Sequence, residues 1–530
     1  MDFNLADIFE TIVDVVPDRE AIVCEDDRLT YAELEEKANR LGHHLQEAGV
    51  QPGQHVGVQL YNSIEYLTTA VACLKIRAVP VNVNYRYVEE ELSYLYNDAD
   101  LVALVVHREL ASRAAAVRTE KLKHVVLVDD DSGADLGGLD AVPWDEAILK
   151  GSPERGFGPR SGDDLYIIYT GGTTGMPKGV MWRQEDIFFS GMGGGDPAGR
   201  PAERPEQIAE QAAGRDPSAT FPMAPLMHGA AQLASFICFH WGGKVVLQHK
   251  FEPKGALRLM EREKVNTVSL VGDAMARPLA DALDEPDANY DLSSLIVISS
   301  AGAVFSDAVR DQLKEHLPNI FLVDAYGASE TGHQGTMAAE SSPEKGLRFT
   351  MNDNTTVLDD DLKPVEPGSG VVGRVALKGH VPLGYYNDPE KTATTFKEID
   401  GQRWVLPGDM ATIEADGTVL VFGRGSVCIN SGGEKIYPEE VEAALKSHPD
   451  VFDAVVVGVK DEKWGERVTA LVQARPGRTL DPDEVVAHCR TKVAGYKAPR
   501  QIYVLDELVR SPSGKADYPW ARKTAAALSQ

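Results

Sequence analysis

Leu165-Tyr166-Ile167-Ile168-Tyr169 runs without a break into Thr170-Gly171-Gly172-Thr173-Thr174-Gly175-Met176-Pro177-Lys178-Gly179. The first part, apolar and aromatic with adjacent isoleucines, reads as a buried strand. The string after it combines glycines, which turn tightly and bring backbone N–H groups close to an anion, with threonine hydroxyls and one ammonium group. Together these residue types make a phosphate cradle; the plainer alternative is a Gly/Thr-rich connection between two elements. A Walker loop is a poor fit, because Pro177 precedes Lys178 and Gly179 follows it, so the hydroxyl that would hold Mg²⁺ is missing. Kinase and P-loop ATPase chemistry lose support accordingly.

On either side of this stretch, apolar runs such as Leu101 to Val106 and His124 to Val128 alternate with segments of helical period such as Tyr31 to Ala48. Such alternation predicts an α/β fold of β-α-β units around largely parallel sheets. Ser306 is placed to cap a helix with Val309, Leu313 and Leu317 on one face, and Pro318 ends it. Asp416-Gly417 between two apolar runs predicts a hairpin. After Gly423 the pattern restarts: helix from Pro438, strands Ala454 to Val459 and Val468 to Ala474, helix Asp481 to Lys492, strand Gln501 to Leu505. The reading is a large domain over residues 1–424 and a small α+β domain over 425–530, in a chain of 530 residues that exceeds the roughly 250 to 300 one core serves. Ser190 to Gly214, rich in Gly, Pro and Glu, reads as a mobile surface loop.

Composition narrows the partners. With 53 Lys+Arg against 81 Asp+Glu the net charge is −28, which disfavours nucleic acid. The start MDFNLADIF resembles no signal or transit peptide, and the most apolar stretch, Gly229 to Leu247, is broken by His240 and Lys244, so a cytoplasmic protein without a transmembrane helix is expected. Five scattered cysteines without a C-x-x-C pair argue against a disulfide framework or a structural zinc site.

The cradle resembles the phosphate loop of the adenylate-forming superfamily of acyl-CoA synthetases, luciferases and peptide-synthetase adenylation domains, which has the form T-[SG]-G-[ST]-T-G-x-P-K-G. The resemblance recurs in the family's order at Pro225-Leu226-Met227-His228-Gly229, Ser300-Ala301-Gly302-Ala303, Tyr326-Gly327-Ala328-Ser329-Glu330-Thr331-Gly332, Gly384-Tyr385-Tyr386-Asn387, Pro407-Gly408-Asp409, Gly423-Arg424, Gly432-Gly433-Glu434-Lys435 and Ser513-Gly514-Lys515. One such segment would be weak evidence; nine in order are strong.

The resemblance implies a luciferase-like large domain of mixed sheets with helices, a small mobile C-terminal domain, and two chemical steps. A carboxylate attacks the α-phosphate of ATP to give an acyl-adenylate and pyrophosphate, and the thiol of coenzyme A then displaces AMP. It assigns ATP binding to Thr170, Gly171, Gly172, Thr173, Thr174, Gly175, Lys178, Gly302, Ala303, Tyr326, Gly327, Ser329, Asp409, Arg424 and Lys515. Glu330 would hold Mg²⁺ on the phosphates, Tyr326 would stack on adenine, and Asp409 would accept from the ribose hydroxyls with Arg424 nearby. Lys515 would bridge the acyl carboxylate and the α-phosphate. His228 would position the carboxylate or gate the thiol channel, or else is a packed histidine. Gly432, Gly433, Glu434 and Lys435 would line the coenzyme A path once the small domain turns.

The sequence departs from the family at Gly171, at Val304, at Ser426 in the hinge and at Asp273, which either meets a polar substrate group or caps a helix from Ala274 to Leu283. Small and apolar residues from Gly229 to Trp241 and Val268 to Met275 suit a hydrophobic acid. Gly229 stands where amino-acid-activating relatives carry Asp, which disfavours an amino acid. The chain ends soon after Lys515, so a diffusible acceptor is expected rather than a fused carrier domain. The overall style is that of actinobacterial synthetases for fatty acids and steroid side-chain acids. A luciferase-type oxygenase and a non-catalytic nucleotide-binding regulator stay open, as does assembly into a homo-oligomer.

Overall fold

The computed structural model describes residues 2–170, 176–303, 305–338, 347–431, 434–461, 464–493, 495–510 and 515–529, and for residues 424, 426, 430, 434 and 435 the backbone alone. Its strands form three sheets, of fifteen, eight and five strands among the described residues. The largest is parallel from Glu20–Cys24 across to Phe321–Ala328 and antiparallel beyond. In the second, His55–Gln59, Val79–Asn82, Leu101–His107, His124–Val128 and Leu165–Thr170 run parallel. The third lies wholly after residue 428 and includes Val451–Asp461, Gly465–Ala474 and Gln501–Leu505. This is the α/β architecture the alternation predicts, with a smaller C-terminal body.

Local sequence explains the elements that matter. Thr30 and Glu33 form a reciprocal cap, Glu33 N donating to Thr30 Oγ1 at 3.2 Å and Thr30 N to Glu33 Oε2 at 2.8 Å, which starts the helix Tyr31–Glu47. Tyr31, Leu34, Ala38, Leu41 and Leu45 repeat at helical spacing and are buried in the core between the two large sheets. Lys75, fully buried, is held by Glu10 at 2.5 Å and Glu35 at 2.8 Å, so three N-terminal helices are locked by one charge that has no access to water. The small body has its own core, from Ile429 through Val456 and Val472 to Ile502.

Two sequence expectations are corrected. Ser190 to Gly214 is no mobile surface loop: it ends one helix, Gln184–Gly191, and contains another, Glu206–Gly214, with Met192, Ile208 and Ala212 buried. Its Gly/Pro content serves tight packing. Gly194 has φ +64°, and a Cβ there would stand 2.6 Å from Pro201 Cβ. Asp273 is no helix cap either, because the helix Gly272–Leu283 already includes it. Its Oδ1 accepts from Ser306 N at 2.8 Å and its Oδ2 from buried Arg277 at 3.4 Å, so it braces the next helix, Asp307–His316, at the position where the Ser306 hydroxyl makes no capping bond.

Gly194→Ala adds both the left-handed backbone penalty and a clash with Pro201, and should cost about 1–3 kcal/mol in urea unfolding. Unchanged stability would mean the segment is as loose as its composition suggests.

Candidate active site

The strand Leu165–Thr170 pairs antiparallel with Lys178–Arg183, and Thr170 stands opposite Lys178, so the cradle sequence joins two neighbouring strands of a hairpin. Gly171, Gly172, Thr173, Thr174 and Gly175 lie outside the described residues. Gly384–Tyr385 adds an edge strand to this hairpin, with Tyr385 opposite Val180. Lys178 Nζ sits 2.5 Å from Asp388 Oδ2 and 5.6 Å from the Tyr385 ring centre, while Tyr385 OH donates to Glu330 Oε1 at 2.9 Å. Lys178, Tyr385 and Glu330 therefore follow one another in contact.

Glu330 occupies the short turn between Phe321–Ala328 and Gly332–Met337. The strands flanking that turn approach backbone to backbone, since a Cβ on Gly327 would fall 2.0 Å from the Gly332 carbonyl oxygen, and buried Thr331 closes the turn by accepting from Ala328 N at 2.9 Å. Trp182 Nε1 donates to the Ser329 carbonyl at 3.0 Å, and Ser190 Oγ to that of Thr331 at 2.8 Å, so the hairpin and the corrected helical segment together hold the turn. Tyr326 OH donates to Asp409 Oδ2 at 2.7 Å, and Asp409 is opposite Arg424 in the ladder.

A cavity of about 290 Å³ opens between these pieces. Thr170, His228, Gly302, Tyr326, Ser329 and Lys515 line its polar part, and Ile187, Leu233, Ile237 and Val271 its apolar part. Lys515 reaches it from the small body, with Cε 3.8 Å from where a Cβ on Gly302 would stand. Gly327 also lines the cavity, whereas Lys178, Ala303, Glu330 and Asp409 do not. Gly432 and Gly433 lie outside the described residues, as do the side chains of Arg424, Glu434 and Lys435. Sequence reading missed Asn82, Asn84 and Tyr87, which also line the cavity. The signal was there: two asparagines at the carboxyl end of an apolar parallel strand, where α/β folds place their sites.

The AMP-binding enzyme family matches residues 9–386, and the AMP-binding enzyme C-terminal domain matches 440–515. The chain belongs to the AMP-binding enzymes. Over 530 residues, 98% of this AMP-binding enzyme, it is 49% identical to a medium/long-chain-fatty-acid–CoA/3-oxocholest-4-en-26-oate–CoA ligase of Mycolicibacterium smegmatis, of which 96% is covered. It is 47% identical to a 3-oxocholest-4-en-26-oate–CoA ligase of Rhodococcus rhodochrous, with the same shares covered. The fold matches the crystal structure of the anthranilate CoA ligase AuaEII in complex with anthranoyl-AMP, with a TM-score of 0.83 at 24% identity over 99% of this chain and 98% of that one.

Burial, with the positive charges of Lys515 and Arg86, pushes His228 down to about 3, so it is a neutral hydrogen-bonding group at physiological pH. Burial alone does the same to His240, and burial foremost brings His107 and His124 to about 4. Such groups bind protons more readily unfolded than folded, so they withdraw stability as pH falls from 6.5 toward 4. Burial raises Asp324 to about 6 against the pull of Arg310, which acts in the opposite sense over the same window. Burial also lowers His44, His55, His249, His333 and His488 and raises Asp98, Asp307 and Glu442, so nine histidines against four carboxyls predict a lower urea midpoint at pH 5 than at pH 7.5; a higher one would contradict neutral burial.

Proposed function

We propose that this AMP-binding enzyme is an acid–thiol ligase that converts a hydrophobic carboxylic acid, a fatty acid or a steroid side-chain acid, into its acyl-CoA through an acyl-adenylate. The observation that carries the reading is the mixed lining of one cavity: Lys515, His228 and Tyr326 together with Ile187, Leu233 and Ile237. An anionic head bearing an apolar chain matches both kinds of surface. The full-length relatives named above, acting on fatty and steroid acids, support the same class.

In the first step a carboxylate oxygen forms a bond to the α-phosphorus of ATP as the bond to the β-phosphate oxygen breaks and pyrophosphate leaves. Lys515 stabilises the charge that gathers between carboxylate and α-phosphate. Asp409, which already accepts from Tyr326 OH, accepts from the ribose hydroxyls, and Tyr326 packs on adenine with Phe349 behind it at 4.9 Å between ring centres. The glycines and threonines of the 171–175 loop cradle the β- and γ-phosphates. In the second step the coenzyme A sulfur attacks the acyl carbon and AMP departs with the electrons of the broken C–O bond. Neutral His228 is suited to orienting the carboxylate. Gly432 to Lys435 would line the thiol path after the small body, residues 425–530, turns about the boundary at 424.

Glu330 fits Mg²⁺. It is a hard oxygen donor in contact with Tyr385, and the described residues hold no cluster of three or more metal-ligating side chains, so the ion would ride mainly on the phosphates. Bound there, it offsets phosphate charge. Reduced thiols, four of them buried, fit a cytoplasmic setting, and among the described residues no helix is long and apolar enough to cross a membrane.

With a panel of fatty, aryl and steroid acids, ATP and coenzyme A, mass spectrometry should find acyl-CoA together with AMP and pyrophosphate. No AMP with any acid would sink the reading, and light or CO₂ without coenzyme A would favour the oxygenase. Lys515→Ala should slow adenylation at least a hundredfold while leaving thioester formation from supplied adenylate within a few-fold; equal losses in both steps would refute its role.

A further inference from the structure

The strand Val79–Asn82 runs parallel to Leu165–Thr170, but the two are in register at one position only, Val81 opposite Ile167. Beyond it the peptide groups of Tyr169 need new partners in a buried place, since an unpaired buried N–H or C=O is costly. The side chain of Asn82 supplies them. Its Oδ1 accepts from Tyr169 N at 2.8 Å and its Nδ2 donates to Tyr169 O at 2.7 Å, copying a peptide unit of the missing ladder. The remaining N–H crosses to the turn between the strand Ala219–Pro222 and the helix Gly229–His240 and donates to Met227 O at 2.7 Å. One donor and two acceptors surround the amide, so a single orientation satisfies all three bonds.

Tyr169 immediately precedes Thr170 at the root of the phosphate hairpin, and Met227 immediately precedes His228. Two more carboxamides hold the same crossing. Asn62 Oδ1 accepts from Leu226 N at 2.7 Å, and Gln232 Nε2 donates to Leu226 O at 2.8 Å. Gln232 meets the hairpin only at its far end, where its Oε1 accepts from Tyr166 OH, and the side chain of Asn62 bonds Ala224 and Leu226 instead of the hairpin. Asn82 is 5% exposed, lines the cavity and reaches both Tyr169 and Met227.

We propose that Asn82 is a positioning residue for adenylation, setting Tyr169-Thr170 at the root of the hairpin and the Met227-His228 segment at a fixed separation. The inference rests on the ligase reading for its reaction, but its first consequence, ATP affinity, does not depend on which acid is used. Wild type, Asn82→Ala and Asn62→Ala are compared by calorimetric titration with MgATP in the absence of any acid, at a temperature where thermal unfolding shows each folded, and then by steady-state assay with the best acid of the panel.

Both variants lose buried hydrogen bonds and both should melt earlier. Only Asn82→Ala should weaken MgATP binding, at least fivefold, with KM for ATP rising in step, while Asn62→Ala stays within twofold. Equal weakening in both, or none in Asn82→Ala, overturns the assignment. Wild type that binds MgATP but makes no acyl-CoA would instead count against the ligase reading alone.

Asn82→Asp carries the test if the alanine variant does not fold. The introduced carboxyl, when ionised, confronts the two carbonyl oxygens and donates to neither; when protonated it regains one bond. Its kcat/KM for ATP relative to wild type should therefore climb several-fold as pH falls from 8 to 6, and a flat ratio would refute the role.

Discussion

Where parallel strands stop at the mouth of a cleft, their last peptide groups lose the neighbour that paired them, and a buried site cannot leave them bare. In this chain side-chain amides take over: Asn62, Asn82 and Gln232 bond the backbone at Ala224, Leu226, Met227 and Tyr169. The second sheet is thereby tied to the turn that follows Ala219–Pro222 of the first. Asn82, Tyr169 and Met227 line the cavity, so that part of its wall is backbone fixed by one uncharged carboxamide.

Charge comes from elsewhere. The chain as a whole is strongly acidic, while Arg490 to Lys523 holds eight Lys/Arg against three acidic residues. Part of that excess is spent inside the small body, where Lys497 pairs with Glu440 at 2.6 Å and Arg510 with Asp453. Lys515 is what this segment offers the cavity. Screening over about 8 Å at physiological salt keeps the distant acidic surface from cancelling it.

Much of this was legible in the sequence, for identifiable reasons. The alternation of apolar runs with helical stripes reports burial on two faces of a sheet, and it located strands such as Gln501–Leu505 to the residue. The motif residues Thr170, His228, Gly302, Tyr326 and Lys515 do converge on one cavity. What misled was composition read without packing. Glycines and prolines between 190 and 214 look like slack, yet there they permit close contact. Asp273 and Ser306 each resemble a helix cap, but only three-dimensional proximity shows that one braces the backbone of the other. The pairing of Lys178 with Asp388, 210 residues away, and the threefold bonding of Asn82 are long-range contacts with no local signature.

The cradle sequence joins two antiparallel strands, whereas the phosphate loop of a Walker-type site leads into a helix. A helix would have aimed a permanent dipole at the anion; a hairpin, whose strand dipoles nearly cancel, brings little. Positive potential at this site then comes from the N-terminus of the helix Gly229–His240, whose first residues line the cavity, and from side chains, of which Lys515 belongs to the other body. On the role proposed for Lys515, anion affinity and the relative placement of the two bodies are thermodynamically linked: whatever holds Lys515 in the cavity would tighten the nucleotide, and the nucleotide would return the same free energy to that placement.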